Sequence, residues 1–258
     1  MTKPQQDPVT YELDNGIAWL TINRPEARNS LNKAVRDGLF AGVRRFNSDD
    51  AAKVLVLTGA GDKAFCAGGD LKEMSANQLT VPPIDFVPQF GRNITVDKPT
   101  IAAVNGAAFA GGFLLAQTCD LCVAATTAQF GITEVKIGRG SPWAAPLPLM
   151  IPRRVAMELT LTGAPLSAQR AYEIGFVNRV AEPDQLRAVT QALAEQIAAN
   201  APLSVAAGKD TVALTAEYPL SEAFDRAEQI WDPVYRSADA QEGMAAFRDK
   251  RKPVWQGA

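Results

Sequence analysis

Three short apolar runs recur through the middle of the chain, at Val54-Leu55-Val56-Leu57, Thr100–Val104 and Leu121–Ala125. Runs of this length without polar alternation suit strands that are covered on both faces, so other layers must pack against them. Gly59 and Gly61 follow the first run and Asn105-Gly106 the second, and helix-like stretches lie between the runs. Short strands repeated with turns or helices between them form the pattern of stacked β-β-α turns, which makes α/β the expected fold class. The 258 residues, 47% of them hydrophobic, suffice for a sizeable core. No Gly/Ser linker or charge run divides them, so one body with an appendage is expected rather than two independent domains.

Before the first run, Val9–Leu13 and Ile17–Asn23 read as two strands joined at Asp14-Asn15-Gly16, because Asn and Gly tolerate positive φ. A helix is expected from about Leu31 to Asn47. Between Met74 and Lys98 the composition turns polar and carries Pro82, Pro83 and Pro88, as in a mobile surface segment that could form a lid over a site. From Pro152 onward the chain reads as mainly helical. Ser167 is placed to cap a helix that stops at Gly175, and Leu186, Val189, Leu193 and Ile197 recur at helical spacing. Asp239 with Glu242 reads as a capping box before Met244-Ala245-Ala246-Phe247. Periodicity does not decide whether this helical tail packs on its own body or on a second subunit.

The chain contains no histidine, which excludes a Ser-His-Asp triad, a Cys-His dyad and nearly every zinc hydrolase site. Proton transfer is left to Asp, Glu, Lys, Tyr, Cys or water. Cys119 and Cys122 form a CxxC, but with Cys66 as the only other cysteine no second pair completes a metal site. Buried thiols in a reducing compartment are the expectation. A formal net charge of −2 gives no footprint for nucleic acid. The leader MTKPQQDPVT has no apolar stretch and no run is long enough to span a membrane, so a cytoplasmic protein is expected.

Two Gly-rich turns follow apolar strands and precede helix-like stretches, Ala67-Gly68-Gly69-Asp70 and Ala110-Gly111-Gly112. A helix start presents unpaired N–H groups, and glycine lets a ligand approach them closely. Two such starts facing one cavity would hold a developing oxyanion, although either turn alone reads as an ordinary tight turn. Glu134 has no other acid between Val135 and Met157, where apolar and proline residues dominate. Apolar surroundings would raise its pKa, whereas spacing alone makes it an exposed loop acid. Trp143 with Pro142, Pro146 and Pro148 forms a stiff loop that either walls a pocket or covers the core. Asp120 is expected to play a structural hydrogen-bonding role. The basic cluster Lys250-Arg251-Lys252 suits a solvated helix end and is equally able to meet a phosphate.

Taken in order, these segments resemble the crotonase, or enoyl-CoA hydratase/isomerase, superfamily. Phe65-Cys66-Ala67-Gly68-Gly69-Asp70-Leu71-Lys72-Glu73-Met74 is similar to its first signature. Ile101-Ala102-Ala103-Val104-Asn105-Gly106, then Gly111-Gly112 and Cys119-Asp120, are similar to its second, and Ala128-Gln129-Phe130-Gly131 with Glu134 to its third. Asn23 to Asn32 resembles the family's early loop, and Gly243 to Phe247 with Lys250-Arg251-Lys252 its C-terminal helix. The resemblance implies a crotonase-like spiral of β-β-α turns over residues 1–198 carrying a CoA-ester site. It implies a C-terminal helical region over 199–258 that trimerises, two trimers commonly stacking into a hexamer.

It also implies an acyl-CoA thioester substrate whose enolate oxygen is held by the N–H groups of Gly69 and Gly111, with Glu134 as acid/base. No separate cofactor and no metal is implied, since coenzyme A enters as part of the substrate. The implied substrate contacts are Ala27 and Arg28 near the adenine and phosphates, Ala67, Asp70, Leu71 and Lys72 along the CoA moiety, and Leu114 and Trp143. Phe247 and Lys250 complete the set, Lys250 reaching a neighbouring subunit's nucleotide. The sequence departs from the two-acid hydratases at Leu114, which stands where they carry a second glutamate. Hydration, isomerisation, hydrolysis or other cleavage, and non-catalytic binding of a CoA ester all remain open on the sequence.

Overall fold

The computed structural model describes residues 7–258; the leader at 1–6 lies outside the described residues. Its strands, in chain order, are β1 (Val9–Asp14), β2 (Ile17–Ile22), β3 (Val54–Gly59), β4 (Ala64–Cys66), β5 (Thr100–Val104), β6 (Ala107–Phe109), β7 (Leu121–Ala125), β8 (Gln129–Gly131), β9 (Leu166–Ser167) and β10 (Arg179–Ala181). They form a six-stranded sheet in the order β1-β2-β3-β5-β7-β10 and a four-stranded sheet in the order β4-β6-β8-β9. Each of the three apolar runs therefore gives one strand to the large sheet, turns a corner and gives the next strand to the small one. β3, β5 and β7 lie parallel, and so do β4, β6 and β8. The repeat of short strands in the sequence is this spiral.

The corners explain the turn residues. At Gly106 an added Cβ would lie 2.6 Å from the Lys63 carbonyl carbon, so only glycine lets the second corner pass the first. Asn105 ties them together, accepting from Gly59 N at 3.2 Å and donating to Gly61 O at 2.7 Å. The β1–β2 hairpin turns through Asn15 (φ 50°) and Gly16 (φ 81°), as the sequence predicts.

Helix α1 (Lys33–Ser48) packs Val35, Leu39, Val43 and Phe46 into the core. It starts two residues later than predicted, because Asn32 caps it and Leu31 instead bridges to Gly69, its N–H donating to Gly68 O at 2.8 Å. Helix α2 (Leu71–Ala76) follows β4, and α3 (Gly111–Thr118) follows β6. Phe113 on α3 meets Trp143 and Phe176 edge to face, with centroids 5.8 and 5.1 Å apart. The 74–98 stretch is anchored rather than loose at its base. Val87 and Val96 sink into the core, and the Asn93 side chain bonds Gln89 N, Ile84 O and Val87 O.

The chain then runs through α4 (Leu147–Met150), α5 (Arg153–Thr162), α6 (Ala168–Glu173), α7 (Leu186–Ala198), α8 (Pro202–Glu217), α9 (Leu220–Arg236) and α10 (Ala238–Arg248). Ser167 caps α6 as expected. The predicted capping box at Asp239 and Glu242 is not one. Ser237, whose backbone is extended, caps α10 instead. Asp239 is buried and accepts from Gln256 N and Gly257 N, while Glu242 holds Arg251 and Val254 N, so both acids tether the C-terminal tail. Asp120 accepts from Thr100 and pairs with Lys209 of α8, the structural role expected of it. Cys66, Cys119 and Cys122 are free and buried. Among the described residues, no helix is long and apolar enough to cross a membrane.

Candidate active site

β4 and β6 are neighbours in the small sheet, with Cys66 opposite Ala108, so the Gly-rich turns that follow them come out side by side. An added Cβ on Gly111 would lie 3.7 Å from Gly68 Cα and 3.9 Å from Gly69 N. Gly112 packs so closely on the Cys66 carbonyl that no side chain fits there. Flanking amides are used, Gly68 N by Cys66 Sγ, Asp70 N by Leu31 O and Ala110 N by Gly131 O, but neither Gly69 N nor Gly111 N finds an acceptor among the described residues. Gly111 opens α3, where backbone N–H groups are unpaired and the helix dipole is positive. Gly69 stands one residue before Asp70, the cap of α2, so its N–H is freed by the turn rather than by a helix start. Ala110 is held at φ 52° and ψ −119°, a conformation costly for a residue with a Cβ, of order 1–3 kcal/mol.

Both glycines line a cavity of about 980 Å³ that also takes in Leu114, Glu134 and Trp143. Glu134 sits in the 3-10 turn Thr133–Ile137, directly after Ile132, which is wholly buried and draws the turn inward. It is 8% exposed, which corrects the loop-acid reading of its spacing. Oε1 accepts from Trp143 Nε1 at 2.9 Å, and Oε2 is buried without a partner. Burial pushes the Glu134 carboxyl up and outweighs the backbone and Trp143 hydrogen bonds that pull it down. Leu114 lies one helical turn beyond Gly111 and is 6% exposed, so the cavity wall there is apolar.

A sequence model described as enoyl-CoA hydratase/isomerase matches residues 12–258. The chain belongs to the enoyl-CoA hydratase/isomerase family. Among its relatives, it is 40% identical to an (E)-benzylidenesuccinyl-CoA hydratase of Thauera aromatica, over 97% of this chain and 100% of that one. It is 37% identical to a carnitinyl-CoA dehydratase of Salmonella typhi, over 93% of this chain and 95% of that one. Its fold matches a crystal structure of an enoyl-CoA hydratase from Mycobacterium marinum with a TM-score of 0.87 and 41% identity, covering 98% and 100% of the two chains. A second, from Mycobacterium tuberculosis H37Rv, gives a TM-score of 0.88 and 39% identity over 98% and 100%. The crotonase spiral expected from the motifs is thereby the fold of this chain, and the chain is an enzyme of that family.

In this enoyl-CoA hydratase/isomerase family member, Ala27, Ala67, Asp70, Leu71 and Lys72 line the same cavity as Glu134. The Asp70 carboxylate is already engaged. It accepts from Glu73 N at 3.3 Å and Arg24 Nη1 at 3.2 Å, and these bonds outweigh burial to hold it below its ordinary pKa. Asp70 therefore braces the Gly69 turn. In the early loop Arg28 is exposed at φ 52° beside Ala27, and Arg24 lines the cavity. Phe247 is 88% exposed on α10, and within one chain neither it nor Lys250 lines the cavity. Buried Asn29 was not singled out by the sequence, yet it holds Ala60 O and Ala64 O beneath the first turn. Arg139 also lines the cavity, and its spacing does not distinguish it from Lys136 on the same stretch.

Proposed function

We propose that this enzyme adds water to a 2-enoyl-CoA, or removes it from the corresponding 3-hydroxyacyl-CoA. The enolate oxygen is held by the N–H groups of Gly69 and Gly111, and Glu134 makes both proton transfers. One observation carries this reading: the partnerless Oε2 of Glu134 lines the same cavity as two unpaired backbone N–H groups. Removing an α-proton places charge on the thioester oxygen, and preorganised donors act where that charge develops.

In the hydration direction, the Glu134 carboxylate takes a proton from water while the oxygen bonds to the β-carbon. The carbon–carbon π electrons move to the thioester oxygen as the enolate. Protonated Glu134 then gives its proton to the α-carbon, the carbonyl re-forms, and the carboxylate is restored. The reverse sequence expels water. Leu114 offers no second proton, so both transfers pass through one carboxylate and occur on one face of the substrate.

The names of the hydratase and dehydratase relatives support water addition or elimination over migration of the double bond, which the same carboxylate would also permit. Incubation with matched 2-enoyl-, 3-enoyl- and 3-hydroxyacyl-CoA esters separates the two. Hydration changes the product mass by one water, whereas migration changes none. Interconversion of 2- and 3-enoyl esters without any hydroxy product would overturn the assignment.

A further inference from the structure

We infer that the acyl group of the substrate carries a second anionic group, a carboxylate, received by Arg139. This rests on the cavity being the acyl-CoA site.

The Arg139 backbone N–H donates to Glu134 O at 3.0 Å, so the side chain is rooted in the same turn as the acid. Its Nη1 donates to Leu79 O at 2.9 Å, across to the stretch that forms the facing wall. Its Nη2 is buried and has no hydrogen-bond partner among the described residues. Glu134 Oε2 is partnerless as well, so the two groups do not satisfy each other. Both residues line the cavity; its other carboxylates, Glu26 and Asp70, pair with Arg24, and among the described residues no ion pair reaches Arg139.

A guanidinium nitrogen left unpaired out of water is costly, and a planar carboxylate matches its geometry. The CoA phosphates do not supply that anion. Arg139 belongs to the turn that carries the acid/base, and the phosphates are separated from the thioester by the length of the pantetheine arm. A carboxylate on the acyl chain is the anion that arrives at this end. A substrate with a cationic acyl group would meet Arg139 as a like charge. The chemistry thus points to a CoA monothioester of a dicarboxylic acid.

The test uses two saturated esters of equal chain length, glutaryl-CoA and pentanoyl-CoA, titrated calorimetrically into the wild-type protein, Arg139→Gln and Arg139→Lys. Saturated esters need no turnover, so the outcome is independent of which reaction Glu134 performs. The wild type is expected to bind glutaryl-CoA roughly 10- to 100-fold more tightly, the range of one charge-assisted hydrogen bond. Arg139→Gln should bring the two esters to equal affinity while leaving pentanoyl-CoA nearly unchanged. If Arg139→Gln does not fold, Arg139→Lys decides. A lysine keeps the charge but loses the planar fork, so it should show an intermediate preference. An unaltered preference in that variant would refute the inference. Equal binding of both esters by the wild type would overturn the inference and leave the acyl-CoA site standing. A uniform loss with both esters in Arg139→Gln would also overturn it, by making Arg139 a tether for Leu79. Failure of both esters to bind any form would sink the site and the inference together.

Discussion

Replacing Trp143 with phenylalanine removes the indole N–H that donates to Glu134 Oε1 at 2.9 Å and keeps a smaller aromatic ring against Phe113. That hydrogen bond favours the charged form of Glu134, while burial disfavours it and wins. The variant therefore moves the Glu134 pKa further up. The carboxylate is the form that takes the first proton, so activity rises with pH through that pKa. The acid limb of kcat/KM should shift to higher pH in Trp143→Phe. A hydrogen bond to a charged group contributes about 1.5–3 kcal/mol, so on the acid limb the variant should fall roughly 10-fold or more below wild type. Above the shifted limb it should recover to within a few-fold.

Stability carries the same sign. A carboxyl whose folded pKa is raised contributes stability that is fully present below its unfolded pKa and is lost as pH rises through the folded one. Trp143→Phe should accordingly melt lower than wild type at neutral pH, with a smaller gap in acid. The assay is kcat/KM for a 2-enoyl-CoA against pH, with melting curves at the same pH values. A loss of activity equal at every pH would refute this account of Trp143 and reduce it to packing.

Leu114→Glu places a second carboxylate one turn from Gly111; it should raise the hydration rate, at a cost of about 2–4 kcal/mol in stability from lost apolar burial and like-charge proximity to Glu134. Paired enoyl-CoA kinetics and thermal melting check both signs, and no rate gain would mean that the pocket limits hydration. Gly112→Ala drives a methyl group into the Cys66 carbonyl. It should destabilise by at least about 2 kcal/mol, and an unchanged Tm would contradict the close packing of the two turns. We also propose that residues 1–198 form the body with the site, and that residues 199–258 assemble copies into trimers or stacked trimers through exposed apolar residues such as Phe224 and Tyr235. Phe224→Asp should lower the mass measured by light scattering; unchanged mass would argue against that face.

The spiral was legible because its strands are apolar throughout and its corners need Gly and Asn at fixed places, both of them local properties. The two glycine turns were visible as turns, but their abutment follows from the register of β4 against β6, which no local pattern carries. The burial of Glu134 depends on Ile132 pulling its turn inward and on Phe113 setting Trp143 behind it. Spacing alone therefore misplaced that acid at the surface. The capping box at Asp239 failed for a similar reason, since the tail at Gln256 and Gly257 takes those oxygens from a distance of many residues. Arg139 is an ordinary arginine in the sequence, and only the enclosure of its Nη2 sets it apart.

The central claim is that one carboxylate and two backbone N–H groups carry the reaction. Hydration of a 2-enoyl-CoA in deuterium oxide by the wild type and by Glu134→Gln tests it most directly, with the product's configuration read by NMR. The account predicts one carbon-bound deuterium at the α-position, on the same face as the new hydroxyl. It also predicts a rate roughly 10²–10⁴-fold lower in Glu134→Gln, with binding of a saturated CoA ester retained. Deuterium on the opposite face, or a Glu134→Gln enzyme that keeps its rate, would contradict it.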